Sequence, residues 1–146
     1  MKTECEACRM VREQGISHEE ALERIGLKDA HSIEFHGWTG HIIADSPYAH
    51  THGLPESCGH PDVEVRLACD PDERGRLLGI VAGAVTLGRR FADGQEARDL
   101  FSVPVRLVTR LESGREVLRV VFPDVNGRWP GEGGCAPGYD EQLLQE

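Results

Sequence analysis

Aromatic residues, basic residues and long apolar runs are all scarce in this sequence. Phe, Trp and Tyr account for 5% of the 146 residues, so we expect those present to serve as structural anchors. Sixteen Lys and Arg are outnumbered by 25 Asp and Glu. The resulting formal net charge of −9, without a local basic stripe, disfavours binding to nucleic acid. The longest mainly apolar run, residues 77–87, is broken by glycines and too short to span a bilayer. We therefore expect no nucleic-acid partner and no membrane partner.

The N-terminal residues carry acidic side chains where a signal peptide would have an apolar segment. The five cysteines are an odd number, which favours reduced thiols over a disulfide framework. Both features predict a cytoplasmic protein, and the 39% apolar and 28% charged content is typical of a globular one. A small-molecule substrate is the expected partner, and a homodimer is left open.

The predicted helices flank the predicted strands. Ser17 and Glu20 have the capping-box spacing, which predicts a short N-terminal helix that ends at Gly26. Asp70 and Pro71 predict the start of a long helix, with Asp as the N-cap and Pro at the first helical position. These two helices are expected to pack against a sheet.

The strand patterns predict an α+β fold in a single domain, residues 1–146. Apolar residues alternate or cluster as in strands at 33–44, 48–54, 62–69, 103–111 and 116–122. This order predicts a mainly antiparallel sheet of about five strands. Segment 1–14 carries a C-x-x-C motif, and 123–146 is expected to be a Gly/Pro-rich loop and tail.

Histidines concentrate in one stretch, residues 41–60. His50 and His52 are two positions apart, which on a strand places both imidazoles on the same face. If residues 44–47 form the hairpin loop, His41 lies opposite His50 and shares that face with Tyr48. A slip of one residue would separate these side chains, so the prediction depends on the register.

This histidine cluster predicts a mononuclear metal site, because imidazole is the commonest metal ligand. His50 and His52 would bind the ion, iron or zinc, and His41 or His60 would supply the third ligand. The alternative is that His50 and His52 are solvent-facing or hydrogen-bonded strand residues. The spacing H-x-H-x3-E at 50–56 is similar to the first metal motif of cupins. No histidine follows His60, however, so a cupin fold is not expected.

Two neighbours of the histidines, Glu56 and Tyr48, are candidate catalytic residues. Glu56 could be a fourth ligand, a general base or a surface carboxylate, and the sequence leaves these three open. The thiols of Cys58, Cys5 and Cys8 are lower-ranked metal ligands. A zinc site at the C-x-x-C motif would need a second pair of ligands, so two ordinary thiols are the simpler interpretation there.

Five collinear motifs resemble those of a known family. They are HGW at 36–38, PYAHTHGL at 47–54, GHPD at 59–62, GRRFADG at 88–94 and FPDVNGRWP at 122–130. In these motifs, and in its N-terminal C-x-x-C, the chain is similar to bacterial proteins of the domain-of-unknown-function family numbered 4262. The resemblance implies a single α+β domain, and it implies no particular activity.

The chain departs from the family at the central strand. The usual pattern there is aromatic-Ala-Tyr-Thr-Val-Gly-Leu, whereas here His50 stands at the tyrosine and His52 at the apolar position. Burying two imidazoles on one strand face is costly unless they have partners. The departure therefore favours a bound ligand in this subgroup.

Together these features predict a small cytoplasmic metalloenzyme with a histidine-ligated, mononuclear, non-haem metal site. The reaction would be oxidative with iron and hydrolytic or lyase-like with zinc. One alternative is a non-catalytic ligand- or partner-binding module with a structural metal. Another is a thiol redox sensor that uses Cys5 and Cys8.

Overall fold

The computed structural model describes residues 6–17, 20, 21, 24, 36–42 and 46–144, and it has an α+β fold. The helices with defined bounds are α1 (Glu6–Gln14), α2 (Leu54–Cys58) and α3 (Pro71–Thr86), followed by a 3-10 helix, Asp140–Leu143. The strands are β1 (Thr39–Ile42), β2 (Tyr48–His52), β3 (Asp62–Arg66), β4 (Glu96–Ala97), β5 (Val105–Glu112) and β6 (Arg115–Val121). None of the described helices is long and apolar enough to cross a membrane.

The strands form one mixed sheet in the order β1-β2-β3-β6-β5-β4. Strands β3 and β6 are parallel, and the other neighbouring pairs are antiparallel. The parallel pair is possible because a long connection that contains α3 separates β3 from β6. The expected sheet of about five mainly antiparallel strands is therefore corrected to a mixed sheet in which six strands are described. The additional strand, β4, has two residues, which is too few for an alternating pattern to reveal.

One face of the sheet is apolar and packs against α3. Because side chains alternate along a strand, Ala49 of β2 and Val63 and Val65 of β3 share this face. They form the hydrophobic core with residues of α3 and of the strands beyond, which include Leu77, Leu78, Val81, Ala82, Val85, Leu107, Leu118 and Val120. Burial of this face supplies the main apolar contribution to stability.

The predicted helix signals are confirmed where the structure describes them. The Asp70 side chain accepts a hydrogen bond from the Asp72 N–H at 2.9 Å, and Pro71 is the first residue of α3. The Ser17 hydroxyl accepts one from the Glu20 N–H at 3.0 Å, as the capping box requires. The predicted end of that helix at Gly26 lies outside the described residues. The predicted loop after β2 begins instead with the five residues of α2.

The opposite face of the sheet is polar and yet buried. His50 and Glu64 are fully buried there, and Arg119 is 1% exposed. The C-terminal segment covers part of this face, because guanidinium groups of Arg66, Arg110 and Arg119 donate hydrogen bonds to its backbone carbonyls at 141–144. The segment from 123 onward, predicted to be a loop and tail, thus ends in a 3-10 helix that packs on the sheet.

Candidate metal centre

Strand β2 places two histidines on the buried polar face. The register pairs His41 with His50 and Thr39 with His52, which confirms the hairpin register expected from the sequence. His50 and His52 are fully buried, and their ring centroids lie 4.8 Å apart. Strand β3 flanks them on the other side, where Glu64 pairs with His50. Hydrogen bonds of the sheet therefore hold both imidazoles in position.

Helix α1 adds a thiol to the two imidazoles. Cys8 is 1% exposed, and its Sγ lies 3.9 Å from Nε2 of His52. Cys8, His50 and His52 each offer one ligand atom, and these three atoms lie within 4.8 Å of one another. Tetrahedral zinc needs its thiolate and imidazole ligand atoms about 3.3–3.6 Å apart, so these separations would have to shorten by up to about 1.5 Å to complete the site. The group thus has the size of a metal site.

A carboxylate also lies against His50. Oε1 of Glu112 is 2.5 Å from Nδ1 of His50, and both side chains are at most 2% exposed. In a neutral imidazole, a proton on Nδ1 beside this carboxylate would leave the lone pair at Nε2. This carboxylate–histidine arrangement is the one that commonly orients histidine ligands in metal sites.

Glu112 is held in turn by a chain of ion pairs. Arg115 donates to Oε2 of Glu112 at 3.2 Å and to Oδ2 of Asp62 at 2.6 Å. It also donates to the carbonyl of Thr51, between the two histidines, at 3.0 Å. Burial raises the pKa of Asp62, and Arg115 opposes that shift. The chain of charges links the β5–β6 hairpin to both β2 and β3.

The charge of Glu112 has a direct effect on His50. Burial by itself would lower the pKa of His50, but the negative charge of Glu112 and hydrogen bonds with Cys8 and Glu112 outweigh that effect. Together they raise the pKa of His50 from 6.5 to about 9, against a small opposing effect of Arg115. In the metal-free protein the site therefore favours a proton on His50, which a metal ion would have to displace, while the negative charge of Glu112 would also favour the metal cation.

Among the histidines that the structure describes, His41 is the next closest to the group. Its ring centroid lies 4.7 Å from that of His52 and 5.7 Å from that of His50, and the residue is half-buried. Strand β1 lies at the edge of the sheet, so His41 is at the rim of the group rather than within it. If Cys8, His50 and His52 bound an ion, His41 would be the candidate for a fourth ligand.

The structure does not bring His60, the other predicted ligand, into the group. Nδ1 of His60 is 2.7 Å from the carbonyl of Pro61, and Nε2 accepts a hydrogen bond from the Phe91 N–H at 3.1 Å. Both ring nitrogens thus bind backbone groups. Cys58 is half-buried beside the hydrophobic core, with its Sγ 3.4 Å from the Ser57 hydroxyl. Cys5 lies outside the described residues.

The two predicted catalytic residues lie near the group without belonging to it. Tyr48 is buried, and its hydroxyl accepts a hydrogen bond from Nε of Arg66 at 2.8 Å. Glu56 is exposed on the wall of a cavity of about 140 Å³ that His52, Arg115 and other residues also line. A larger open groove, lined by residues such as Leu77, Phe101 and Tyr139, contains none of the predicted site residues.

Two members of this network, Glu112 and Arg115, were not predicted from the sequence. Both lie between the predicted strands at 103–111 and 116–122, but no local signal indicates which strand lies beside the hairpin that they form. Their contact with β2 depends on the parallel β3–β6 pairing.

The sequence model of one family, described as "Domain of unknown function (DUF4262)", matches residues 32–136. The chain belongs to this family. Searches of curated proteins and of solved structures each found no match. The match covers β2 and the β5–β6 hairpin, so His50, His52 and Glu112 lie within the family region. Cys8 precedes it.

Proposed function

We propose that the protein binds a divalent metal ion through the Cys8 thiolate and the imidazoles of His50 and His52. The observation that carries this proposal is the closeness of the three ligand atoms, all within 4.8 Å, in a buried position. Glu112 would orient His50 for binding through Nε2.

Zinc fits this ligand set better than iron does. Thiolate and imidazole are both common zinc ligands, and one thiolate with two imidazoles also occurs in blue-copper sites, whereas non-haem iron oxygenases use two histidines and a carboxylate. Glu112, the closest carboxylate, contacts the distal nitrogen of His50 and so serves the ligand rather than the metal. We therefore prefer zinc to iron.

With zinc, three protein ligands would leave one position for water or substrate, and the reaction would be hydrolytic or lyase-like. The cavity beside His52 supports this catalytic version. It has room for a small substrate, about four or five water molecules in volume, and Glu56 on its wall could accept a proton.

The second candidate is a structural metal site in a non-catalytic module. His41 is the observation that favours it, because its ring lies within 4.7 Å of His52. A set of one thiolate and three imidazoles would be closed to substrate.

Elemental analysis of the tag-free protein tests the metal site itself. We expect close to one zinc per chain in the wild type and little in Cys8→Ser or in the His50→Ala/His52→Ala double variant. The matched control is His36→Ala, which removes an exposed imidazole outside the group. The proposal would be wrong if the wild type held no metal after reconstitution, or if the double variant retained it.

Cobalt substitution separates the two candidates. Absorption of the cobalt-loaded protein would report thiolate ligation through a sulfur-to-cobalt charge-transfer band that Cys8→Ser removes. In the catalytic version, His41→Ala leaves the visible cobalt bands unchanged, and small anions such as azide perturb them. In the structural version, His41→Ala alters those bands and azide has no effect.

A further inference from the structure

The three proposed ligands come from two parts of the chain that are held very differently. His50 and His52 lie in β2, which has a hydrogen-bonded strand on each side. Cys8 lies in α1, a helix of nine residues. Such short helices are marginal by themselves in water, so α1 depends on its packing against the rest of the molecule.

Cys8 is the buried side chain of α1. Over residues 8–14, the part of α1 whose side chains are described, the other six side chains are half-buried or exposed. No residue of α1 is among the described members of the hydrophobic core or the side chains packed against it. The Cys8 thiol is therefore one of the groups that this helix buries, and it lies against the imidazole of His52.

A metal ion bound at this site would bind the docked arrangement more tightly than an undocked one. With α1 on the sheet, the ion has three protein ligands, and with α1 displaced it has two. Such a difference in affinity shifts the equilibrium toward the docked state, and the shift is reciprocal. Loss of the metal would favour release of the helix, which would expose the imidazoles of β2.

We propose that metal binding docks α1 onto the polar face of the sheet, so that metal occupancy controls whether His50 and His52 are covered. This inference rests on the proposed metal site and adds to it a conformational response of the N-terminal helix. The thiol of Cys8 links metal binding to the docking of α1, because it is both the proposed metal ligand and a buried contact of the helix.

Hydrogen exchange of the full chain, read by mass spectrometry on peptides that cover residues 6–14, tests the docking. The chelated wild-type protein is compared with the same sample after one equivalent or more of zinc. We expect the α1 amides to exchange up to about 100-fold more slowly when free zinc is about 100 times its Kd. Peptides from β5 and β6 serve as internal references and should change little.

Two thiol variants make the test specific. In Cys8→Ser, zinc should no longer protect the α1 amides, whereas Cys135→Ser removes a thiol outside the group and should respond like the wild type. The comparison within the wild type does not depend on how well Cys8→Ser folds.

The outcomes separate this inference from the proposed function. Zinc that binds at one equivalent per chain without slowing exchange in α1 would overturn the docking inference and leave the metal site intact. Equal protection in Cys8→Ser would overturn it as well. A wild-type chain that takes up no zinc would overturn the proposed function, and with it the metal-dependent docking.

Discussion

His50 lies where three separate parts of the sequence meet. Its own strand supplies the imidazole, the β5–β6 hairpin supplies Glu112 at Nδ1, and α1 supplies the thiol of Cys8. In the proposed site, Glu112 would fix the tautomer and orientation of the ring, and Cys8 would supply a second ligand for the same ion. Substitutions of Glu112 and of Cys8 can therefore test these two contacts of His50 separately.

Replacing Glu112 by Gln should weaken zinc binding about 10- to 100-fold. The amide can still contact Nδ1 of His50, but it lacks the negative charge that makes the imidazole a better ligand. The measurement is a competition titration against a zinc-binding dye. Glu116→Gln is the matched control, because Glu116 is exposed on the same hairpin and its loss should leave the affinity unchanged. Equal affinities for wild type and Glu112→Gln would contradict the assigned role.

The raised pKa of His50 predicts how the metal-free protein responds to pH. Groups facing the ring are Glu112, Arg115, Cys8, His41 and His52. Since the folded pKa of about 9 exceeds the ordinary 6.5, the stabilisation is fully present below about pH 6.5 and is lost as the pH rises through about 9.

Denaturant unfolding of the chelated protein at about pH 6.5 and about pH 9.5 measures this loss. The free energy of unfolding of the wild type should fall by more, on the order of a few kcal/mol, than that of His50→Gln. Because the two proteins differ only at position 50, the difference between them reports the loss of the His50 imidazole. Parallel pH profiles would show that His50 and Glu112 do not form an ion pair.

At the scale of elements, the turn between β5 and β6 positions Glu112, the carboxylate beside Nδ1 of His50. Glu112 and Arg115 pair across this turn, and Ser113 and Gly114 form it with φ of 49° and 80°. Positive φ at both central residues is typical of the tight hairpin turns that match the twist of the strands. The turn thus brings the carboxylate and the guanidinium of the network next to each other.

Gly114→Ala should lower both the stability and the zinc affinity. A side chain at position 114 meets no other atom, so the cost comes from the left-handed backbone, roughly 1–2 kcal/mol. Asp70→Ala is the matched control, because it removes the N-cap of α3 at about 1 kcal/mol, away from the metal group. Denaturant unfolding and zinc titration of both variants check this. If the two variants bind zinc equally well, the turn does not position Glu112.

At the scale of the whole molecule, the buried polar face is closed by the C-terminal segment. Arg119 is central to this closure, because it donates to Glu64 at 3.2 Å and to the carbonyls of Gln142 and Leu144. One side chain thereby joins β6, β3 and the 3-10 helix. The polar face is stable in a buried position because these charges have partners.

Arg119→Ala should lower the free energy of unfolding by about 3–5 kcal/mol, because it leaves the Glu64 carboxylate buried without its cation. Chemical denaturation monitored by circular dichroism gives this value. Arg76→Ala is the control, since Arg76 pairs with Glu73 on the exposed surface of α3 and its loss should change little. A comparable effect of the two substitutions would mean that the Arg119–Glu64 pair does not support the fold.

Local signals in the sequence were sufficient to predict the features that depend only on residues close together in the chain. The Asp70-Pro71 start of α3, the Ser17 cap and the register that pairs His41 with His50 were all predicted and confirmed. Each depends on a cap, a turn length or an alternation of two residues, which short stretches of chain determine by their own geometry.

Only the tertiary structure decided which residues surround the histidines. His60 is closer in sequence to His52 than His41 is, but it binds the backbone of Phe91 and Pro61 instead. Cys8 and Glu112 come from distant segments, and they reach the histidines because α1 places its thiol beside them and β6 pairs with β3. Long-range pairing depends on how whole elements pack together, and no local spacing encodes that choice.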